Sequence, residues 1–282
     1  MSALVLHAGL GVLALTLTLQ APKPAAPAGG GPQVIAVQTS APDKSAELMA
    51  LIESVRRQSD ALVVLSGGAS KMTEAKQRDL LAMFAALATL AAERRIAVGD
   101  GGTKAGIMEA AGTARRASGG AFPLIGVTPA REIPPLGTIA IDPNHSHIVA
   151  VNDPAKAKDE ASFGSETAPM YWLFGRIAEG RPSVAIVANG GGITLHEIAA
   201  NVDAGRRTIL IEGSGRATDA VIALVRGTVP TDDEGIQLQT KARDAKLHRR
   251  PELFTIVPIG KGAPGLLEAL RTALGPPRAK AK

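Results

Sequence analysis

The chain has 282 residues, of which 45% are hydrophobic and 20% charged, a globular composition that excludes wholesale disorder. It contains no cysteine, which excludes disulfide scaffolds, zinc ribbons and cysteine nucleophiles, and only 2% aromatic residues, which argues against a base-stacking surface for single-stranded nucleic acid. The formal net charge is +5, but the tail over 276–282 carries Arg278, Lys280 and Lys282 without an acid, so the charge gives no reason to expect a nucleic-acid partner.

An apolar stretch over residues 3–21 stands apart from the rest of the chain, and a linker rich in Pro, Ala and Gly follows it. The stretch is roughly long enough to span a bilayer. It also has the apolar core of a signal peptide, although Met1 and Ser2 provide no positive charge before it. A peripheral element, or an extension from a misplaced start, is the third interpretation. We expect a cytoplasmic protein, with membrane association through residues 3–21 or export as the alternative.

Beyond the linker, short β-branched runs alternate with helical patterns. This alternation predicts an α/β fold, a Rossmann-like and mostly parallel sheet with helices on both faces. We expect one such domain over residues 32–275 with a small excursion near 129–170, preceded by the segment 1–31 and followed by the basic tail 276–282. A basic run over 241–250 is interpreted as the solvated face of a further helix, with a phosphate or membrane contact as the alternative. The predicted strands are 34–37, 61–65, 96–99, 124–127, 148–151, 184–187, 208–211 and 255–258, and the predicted helices are 47–57, 73–95, 104–116, 170–179, 194–204, 217–226 and 264–274.

Four of the predicted strands end in glycine-rich turns. Open parallel sheets bind ligands outside the carboxyl ends of their strands. Glycine lets the backbone approach a ligand closely, and the start of the following helix attracts anions. The turns therefore predict a phosphate or carboxylate site, although short strand-to-helix turns also need glycine for their own geometry. The candidate ligand-binding residues are Gly67 and Gly68; Gly101, Gly102, Thr103 and Gly106; Gly190, Gly191, Gly192 and Thr194; and Gly213, Ser214, Gly215, Arg216 and Asp219.

Two of these turns carry side chains with a second interpretation. Thr194 and Glu197 have the spacing of a capping box, in which the hydroxyl caps a helix and the carboxylate reaches back to the cap. Alternatively, Glu197 lies beside a bound ribose as a hydroxyl ligand or as a general acid or base. Arg216 can clamp a phosphate through two hydrogen bonds, or pair locally with Asp219.

A pair of histidines, His145 and His147, enters a predicted strand, where alternation places both imidazoles on one face. Both are candidate ligand contacts, together with Glu166. No third ligand stands at a conventional spacing, so we predict no metal site. The chain has neither Gly-x-x-x-x-Gly-Lys-Ser/Thr nor Gly-x-Ser-x-Gly, which disfavours P-loop NTPase and α/β-hydrolase chemistry.

The order of these motifs resembles the SLOG superfamily, specifically its LSDAT branch, the prokaryotic relatives of the N-terminal cytosolic region of TRPM-type cation channels. The resemblance runs from about Val34 to about Leu274. The matching segments are Val64-Leu65-Ser66-Gly67-Gly68-Ala69, Gly99-Asp100-Gly101-Gly102-Thr103-Lys104-Ala105-Gly106-Ile107-Met108, Asp142-Pro143-Asn144-His145-Ser146-His147, Gly164-Ser165-Glu166-Thr167, Asn189 to Glu197, and Gly213-Ser214-Gly215-Arg216-Ala217-Thr218-Asp219.

The resemblance implies a Rossmann-like domain that binds a nucleotide derivative such as ADP-ribose or a related NAD product, often as a sensor. Other SLOG members, the cytokinin-activating "Lonely guy" proteins, are phosphoribohydrolases with the motif Pro-Gly-Gly-x-Gly-Thr-x-x-Glu. This chain keeps Thr194 and Glu197 but has Asn189 for the proline and Ile193 for the later glycine. The expected function is therefore the binding of a nucleotide-derived ligand, and no further cofactor is predicted. N-glycosidic cleavage through Glu197 is the alternative. The expected partner is a small nucleotide derivative, and a homo-oligomer is a further expectation.

Overall fold

The computed structural model describes residues 31–68, 71–155 and 162–277. The apolar stretch 3–21 and the basic residues from 278 onward lie outside the described residues, so the membrane, signal and tail predictions stay predictions. Within the described ranges, no helix combines the length and the apolar character needed to cross a bilayer.

The described residues form one sheet of eight strands, and all of its strand pairs are parallel. Every strand predicted from the sequence is present, extended by one or two residues at its ends, and the predicted fold class is confirmed. The strand order is β1-β5-β4-β3-β2-β6-β7-β8. The strands are β1 (Gln33–Gln38), β2 (Ala61–Gly67), β3 (Ile96–Asp100), β4 (Leu124–Pro129), β5 (His147–Asn152), β6 (Ser183–Ala188), β7 (Arg207–Glu212) and β8 (Phe254–Pro258).

The helices agree with the sequence prediction except in the region that precedes β8. There the basic run 241–250 was interpreted as the face of a further helix, and the structure confirms this only over 241–244, because the helix runs from Asp233 to Asp244. The start of this helix was not predicted. Lys246 has a left-handed φ of 58°, which ends the helical path, and a short 3-10 turn follows. The helices are α1 (Ala46–Gln58), α2 (Glu74–Arg94), α3 (Gly106–Ala117), α4 (Thr167–Ala178), α5 (Gly192–Asp203), α6 (Arg216–Arg226), α7 (Asp233–Asp244) and α8 (Gly262–Leu274).

Helices cover both faces of the sheet because successive strand side chains point to opposite faces. On β6, Ile186 packs into the cluster shared with α2, α3 and α8, whereas the next residue, Val187, packs with α5, α6 and α7. Phe174 of α4 lies so close to β3 that a Cβ on Gly99 would stand 2.3 Å from its ring. Full burial of a side chain such as Phe174 stabilises the fold by about 1.5–3 kcal/mol.

The order of the strands determines where a ligand can bind. From β2 the chain proceeds through β3 and β4 to β5, and then crosses back to place β6 on the other side of β2. Such a reversal opens a crevice at the carboxyl ends of the two strands that flank it. The four glycine-rich turns follow β3, β2, β6 and β7, which are neighbours in the sheet, so all four lie at this crevice.

Candidate functional site

The turns after β2 and β6 touch each other at the centre of the crevice. Gly67 has a φ of +146°, and a Cβ on it would lie 1.9 Å from the carbonyl oxygen of Ala188, so the position admits only glycine. A Cβ on Gly68 would be 3.6 Å from the Cα of Gly190. Asn189 joins the two turns, because its Nδ2 donates a hydrogen bond of 2.9 Å to the Gly68 carbonyl. The structure thus brings the first and third predicted turns together.

The helix that follows the third turn, α5, begins with an open N-terminus. Its N-cap is Gly191, without a side-chain capping hydrogen bond, and Gly192 and Ile193 are exposed. Thr194 lies inside the helix and packs against Gly190, whose Cβ would meet its Oγ1 at 2.2 Å. The capping-box interpretation of Thr194 and Glu197 is therefore wrong. The first N–H groups of such a helix attract an anion.

The fourth turn differs from the third because the backbone N–H groups at the start of α6 already donate hydrogen bonds within the protein. The carbonyl of Gly190 accepts from the N–H of Ala217 at 3.2 Å, and the carbonyl of Asn189 accepts from both the N–H and the Oγ1 of Thr218. Asp219 accepts from the N–H of Gly213 at 2.8 Å. Burial raises the pKa of Asp219, although hydrogen bonds from Gly213 and Gly215 and the charge of Lys76 oppose the change.

The hydroxyl of Ser214 in the fourth turn is buried and also has internal partners. It accepts from the N–H of Asn189 at 2.8 Å and donates to the carbonyl of Ile211 at 2.6 Å. The structure therefore uses the polar groups of the fourth turn to hold the third turn in place.

The second turn is also tied to the protein interior. Asp100 Oδ1 accepts a hydrogen bond of 2.7 Å from the N–H of Gly102. The same oxygen lies 2.8 Å from Nε2 of His145. The other ring nitrogen of His145, Nδ1, lies 3.1 Å from Asp142 Oδ1. All three of these side chains are buried. Burial lowers the pKa of His145, but the two carboxylates have the larger effect and raise it to about 9. The protonated imidazole of His145 therefore links Asp100 and Asp142.

The other predicted ligand-binding residues of the second turn, Gly101, Thr103 and Gly106, lie in different surroundings. Thr103 is buried and bridges to Ile141, and Gly106 begins α3 and lines a groove of about 690 Å³ between α2 and α3. Gly101 is half-buried. The prediction that His145 and His147 share one strand face is wrong, because β5 begins at His147 and His145 lies in the preceding turn.

Glu197, on the second turn of α5, lies in an acidic part of the crevice. It hydrogen-bonds to Ser66, the residue before Gly67, and its carboxyl group lies near Glu166 and Asp100. Burial raises the pKa of Glu197 to about 8, and the charges of Glu166 and Asp100 add to the effect, whereas the Ser66 hydrogen bond opposes it. A carboxyl group with such a pKa can hold or release a proton near neutral pH, as a general acid or base requires.

Side chains behind Ser66 fix its orientation. The Tyr171 hydroxyl lies 3.0 Å from Ser66 Oγ and accepts from Asn201 Nδ2 at 3.1 Å. Arg206 Nη1 donates to Asn201 Oδ1 at 2.6 Å, and its guanidinium lies 6.0 Å from the centroid of the Tyr171 ring. This network reaches from the protein interior to Ser66 and hence to Glu197.

Basic side chains lie on the other side of α5. The guanidinium of Arg216 lies over Gly191, where a Cβ would be 3.1 Å from Nη2. Arg216 does not pair with Asp219 but with Glu234 of α7, through Nε and Nη2 at 3.0 and 2.9 Å from one carboxylate oxygen. Lys71 Nζ donates to the other oxygen at 2.8 Å. We call Lys71, Glu234 and Arg216 the basic bridge.

Backbone strain concentrates in the same region. Lys71, Asn189 and Arg216 have φ values of 60°, 58° and 47°, and they are three of the five non-glycine residues with positive φ in the described ranges. Each such conformation costs of order 1 kcal/mol and persists only where the surroundings impose it. The structure around the crevice therefore imposes the conformations of these three residues.

The crevice also has an apolar rim. Phe163 and Ile193 are 39% and 38% exposed, and a Cβ on Gly164, beside Phe163, would contact Cγ1 of Ile193 at 3.9 Å. Glu166 follows in the same turn and accepts from the N–H of Gly164 at 2.7 Å. Within the described residues, no three His, Asp or Glu side chains are arranged to hold a metal ion.

Sequence reasoning missed Lys71, Lys76 and Glu234. Lys76 approaches the fourth turn, where its Nζ would be 3.9 Å from a Cβ on Gly215. Glu234 was missed because the start of α7 was not predicted. A signal for α7 was present, since Asp232 precedes an acidic first turn and caps the helix by accepting from the N–H of Gly235 at 2.9 Å.

Comparison with known proteins places most of this architecture in one family. The family model described as "SLOG in TRPM, prokaryote" matches residues 60–256. The "transient receptor potential cation channel subfamily M member 2" of Mus musculus is 32% identical over 125 residues, which cover 41% of this chain and 8% of the channel subunit. The protein of the same name from Rattus norvegicus is 31% identical over 125 residues, with the same coverage. The chain thus spans less than a tenth of the length of these curated relatives.

Proposed function

The chain belongs to the prokaryotic family of SLOG domains related to TRPM, and from this premise we propose that it binds a nucleotide derivative of the ADP-ribose or NAD class in the crevice between β2 and β6. The observation that carries the proposal is the open N-terminus of α5 beneath the guanidinium of Arg216. Backbone N–H groups and a guanidinium directed at one position are the groups with which proteins bind phosphate.

The basic and acidic sides of the crevice suit two parts of one ligand. The phosphates lie at the start of α5, beside Gly191 and Arg216. The ribose hydroxyls lie on the opposite side and hydrogen-bond to the carboxyl groups of Glu197 and Glu166, which lie close together. The base lies on the apolar rim formed by Phe163 and Ile193, whose exposed side chains offer a flat apolar contact.

Binding can be tested by calorimetric titration of the full chain with ADP-ribose, NAD and AMP. We expect Arg216→Gln to weaken binding of a phosphorylated ligand about 10- to 100-fold, since a hydrogen bond to a charged group contributes about 1.5–3 kcal/mol. Arg226→Gln is the matched control, because Arg226 lies at the other end of α6 and pairs with Glu212. Equal effects of the two substitutions would contradict the proposed position of the phosphate.

A hydrolase is the second candidate, and the pKa of Glu197 favours it. Because that pKa is raised to about 8, the carboxyl group is largely protonated at neutral pH. It can then donate its proton to a departing base while water attacks the anomeric carbon and the N-glycosidic bond breaks. The products would be the free base and a ribose phosphate compound, and water would return a proton to Glu197.

Turnover distinguishes the two candidates. The purified protein is incubated with AMP, NAD and ADP-ribose, and free base and ribose phosphate are measured by chromatography. The binding proposal predicts no release from any of the three compounds. Release that is absent in Glu197→Gln would overturn it in favour of the hydrolase.

A further inference from the structure

The basic bridge joins three elements that meet at the mouth of the crevice. Lys71 follows β2, Arg216 begins α6, and Glu234 lies in the first turn of α7. One carboxylate receives hydrogen bonds from both cations, at 2.8 Å from Lys71 and at 2.9 and 3.0 Å from Arg216. Together the two cations form an anion site, and the protein's own carboxylate occupies it.

We infer that Glu234 holds the place of the second phosphate of a diphosphate ligand between Lys71 and Arg216, and that such a ligand must displace Glu234 to bind through both of its phosphates. This inference rests on the proposed function and assigns a position to the second phosphate. A carboxylate and a phosphate oxygen accept from Arg and Lys with similar geometry, so one can replace the other.

The accessibility of the three side chains permits this exchange. The side chains of Lys71, Glu234 and Arg216 are 67%, 33% and 22% exposed, so water reaches the bridge. A displaced Glu234 stays on the first turn of α7, where the helix dipole favours a negative charge. Lys71 can follow the phosphate because its side chain is the most exposed of the three.

Competition with Glu234 affects the second phosphate group and not the first. A single phosphate group binds at the start of α5 beside Gly191, which Glu234 leaves open. A second phosphate group must replace Glu234 at Lys71 and Arg216. The carboxylate is tethered beside these cations, and a tether of this kind gives an effective concentration on the order of millimolar.

The test compares AMP, ADP-ribose and inorganic pyrophosphate in calorimetric titrations of the full chain and of Glu234→Gln. We expect Glu234→Gln to bind ADP-ribose and pyrophosphate about 10-fold more tightly, whereas its affinity for AMP should change little, because only the diphosphates must displace Glu234. Asp233→Asn is the matched control, since it removes the same charge one residue away at an exposed position. Glu234→Asp keeps the charge on a side chain too short to reach both cations, and it should fall between wild type and Glu234→Gln.

The outcomes separate this inference from the proposed function. Weaker binding in Glu234→Gln, or an effect equal to that of Asp233→Asn, would overturn the inference, because Glu234 would then only position its neighbours. If Glu234→Gln fails to fold, the absence of any change in Glu234→Asp would overturn the inference as well. Tighter pyrophosphate binding in Glu234→Gln without nucleotide binding in any variant would support the inference and refute the proposed function.

Discussion

Replacement of Glu197 by glutamine should change how the stability of the protein depends on pH. The folded protein holds the Glu197 proton up to a pKa of about 8, whereas the unfolded chain releases it near 4.5. Between these values the folded state binds more protons than the unfolded state, so this group loses its stabilising contribution as pH rises. Glutamine resembles the protonated carboxyl group and does not titrate, so the stability of the variant does not fall with pH for this reason.

The size of the effect follows from the two pKa values. The difference between 4.5 and about 8 corresponds to at most about 5 kcal/mol, at about 1.4 kcal/mol for each pKa unit. Glu197 is only partly buried, so we expect screening by solvent to reduce this to about 2 kcal/mol. The Tm of Glu197→Gln relative to wild type should therefore rise by roughly 4–8 °C between pH 5 and pH 9.

Thermal unfolding at pH 5, 7 and 9 measures this difference. Glu268→Gln on the exposed side of α8 is the matched control for the replacement of a carboxyl group by an amide. His145 titrates in the same direction, but it is present in both proteins and cancels. A Tm difference for Glu197→Gln that stays constant from pH 5 to pH 9 would refute the reasoning, because Glu197 would then have an ordinary pKa.

Three other substitutions test separate parts of the site. Gly190→Ala should lower stability by more than about 1 kcal/mol, because the residue has a φ of +88° and its Cβ would meet Thr194 Oγ1 at 2.2 Å; an unchanged Tm would show that the turn can relax. His145→Leu should destabilise the fold by about 3–5 kcal/mol, since two buried carboxylates lose their shared cation, and denaturant unfolding with a midpoint near that of wild type would contradict this. Phe163→Ala should weaken ADP-ribose binding about 5- to 100-fold, as expected for loss of a base–aromatic contact, and leave the Tm unchanged; undiminished affinity would exclude the rim as the base site.

The strands could be predicted because their signal is local. Runs such as 61–65 and 184–187 consist almost entirely of buried apolar residues, which is typical of parallel strands covered on both faces. The glycines also indicated the crevice, since turns after neighbouring parallel strands meet at one edge. The contact between Gly68 and Gly190 follows from this arrangement.

The partners of the polar side chains could not be predicted in the same way. Arg216 pairs with Glu234, 18 residues further along the chain, and Asp100 pairs with His145, 45 residues away. Which residues pair depends on how distant segments pack together at the crevice, and no local sequence pattern encodes that packing. Thr194 misled the prediction for a related reason, because Gly190 and Gly191 let α5 begin three residues earlier than its apparent capping box suggested.

The bonds between the third turn and α6 have a consequence for hydrogen exchange. The N–H groups of Ala217 and Thr218 would normally exchange quickly, as the first amides of a helix do, but here they donate to the carbonyls of Gly190 and Asn189. Their protection therefore reports whether the turn keeps its conformation, although neither amide points to the start of α5. A ligand that rigidifies the turn should slow exchange at both amides without touching them. Hydrogen exchange at Ala217 and Thr218, one and two residues after Arg216, would therefore report binding of a ligand at the third turn.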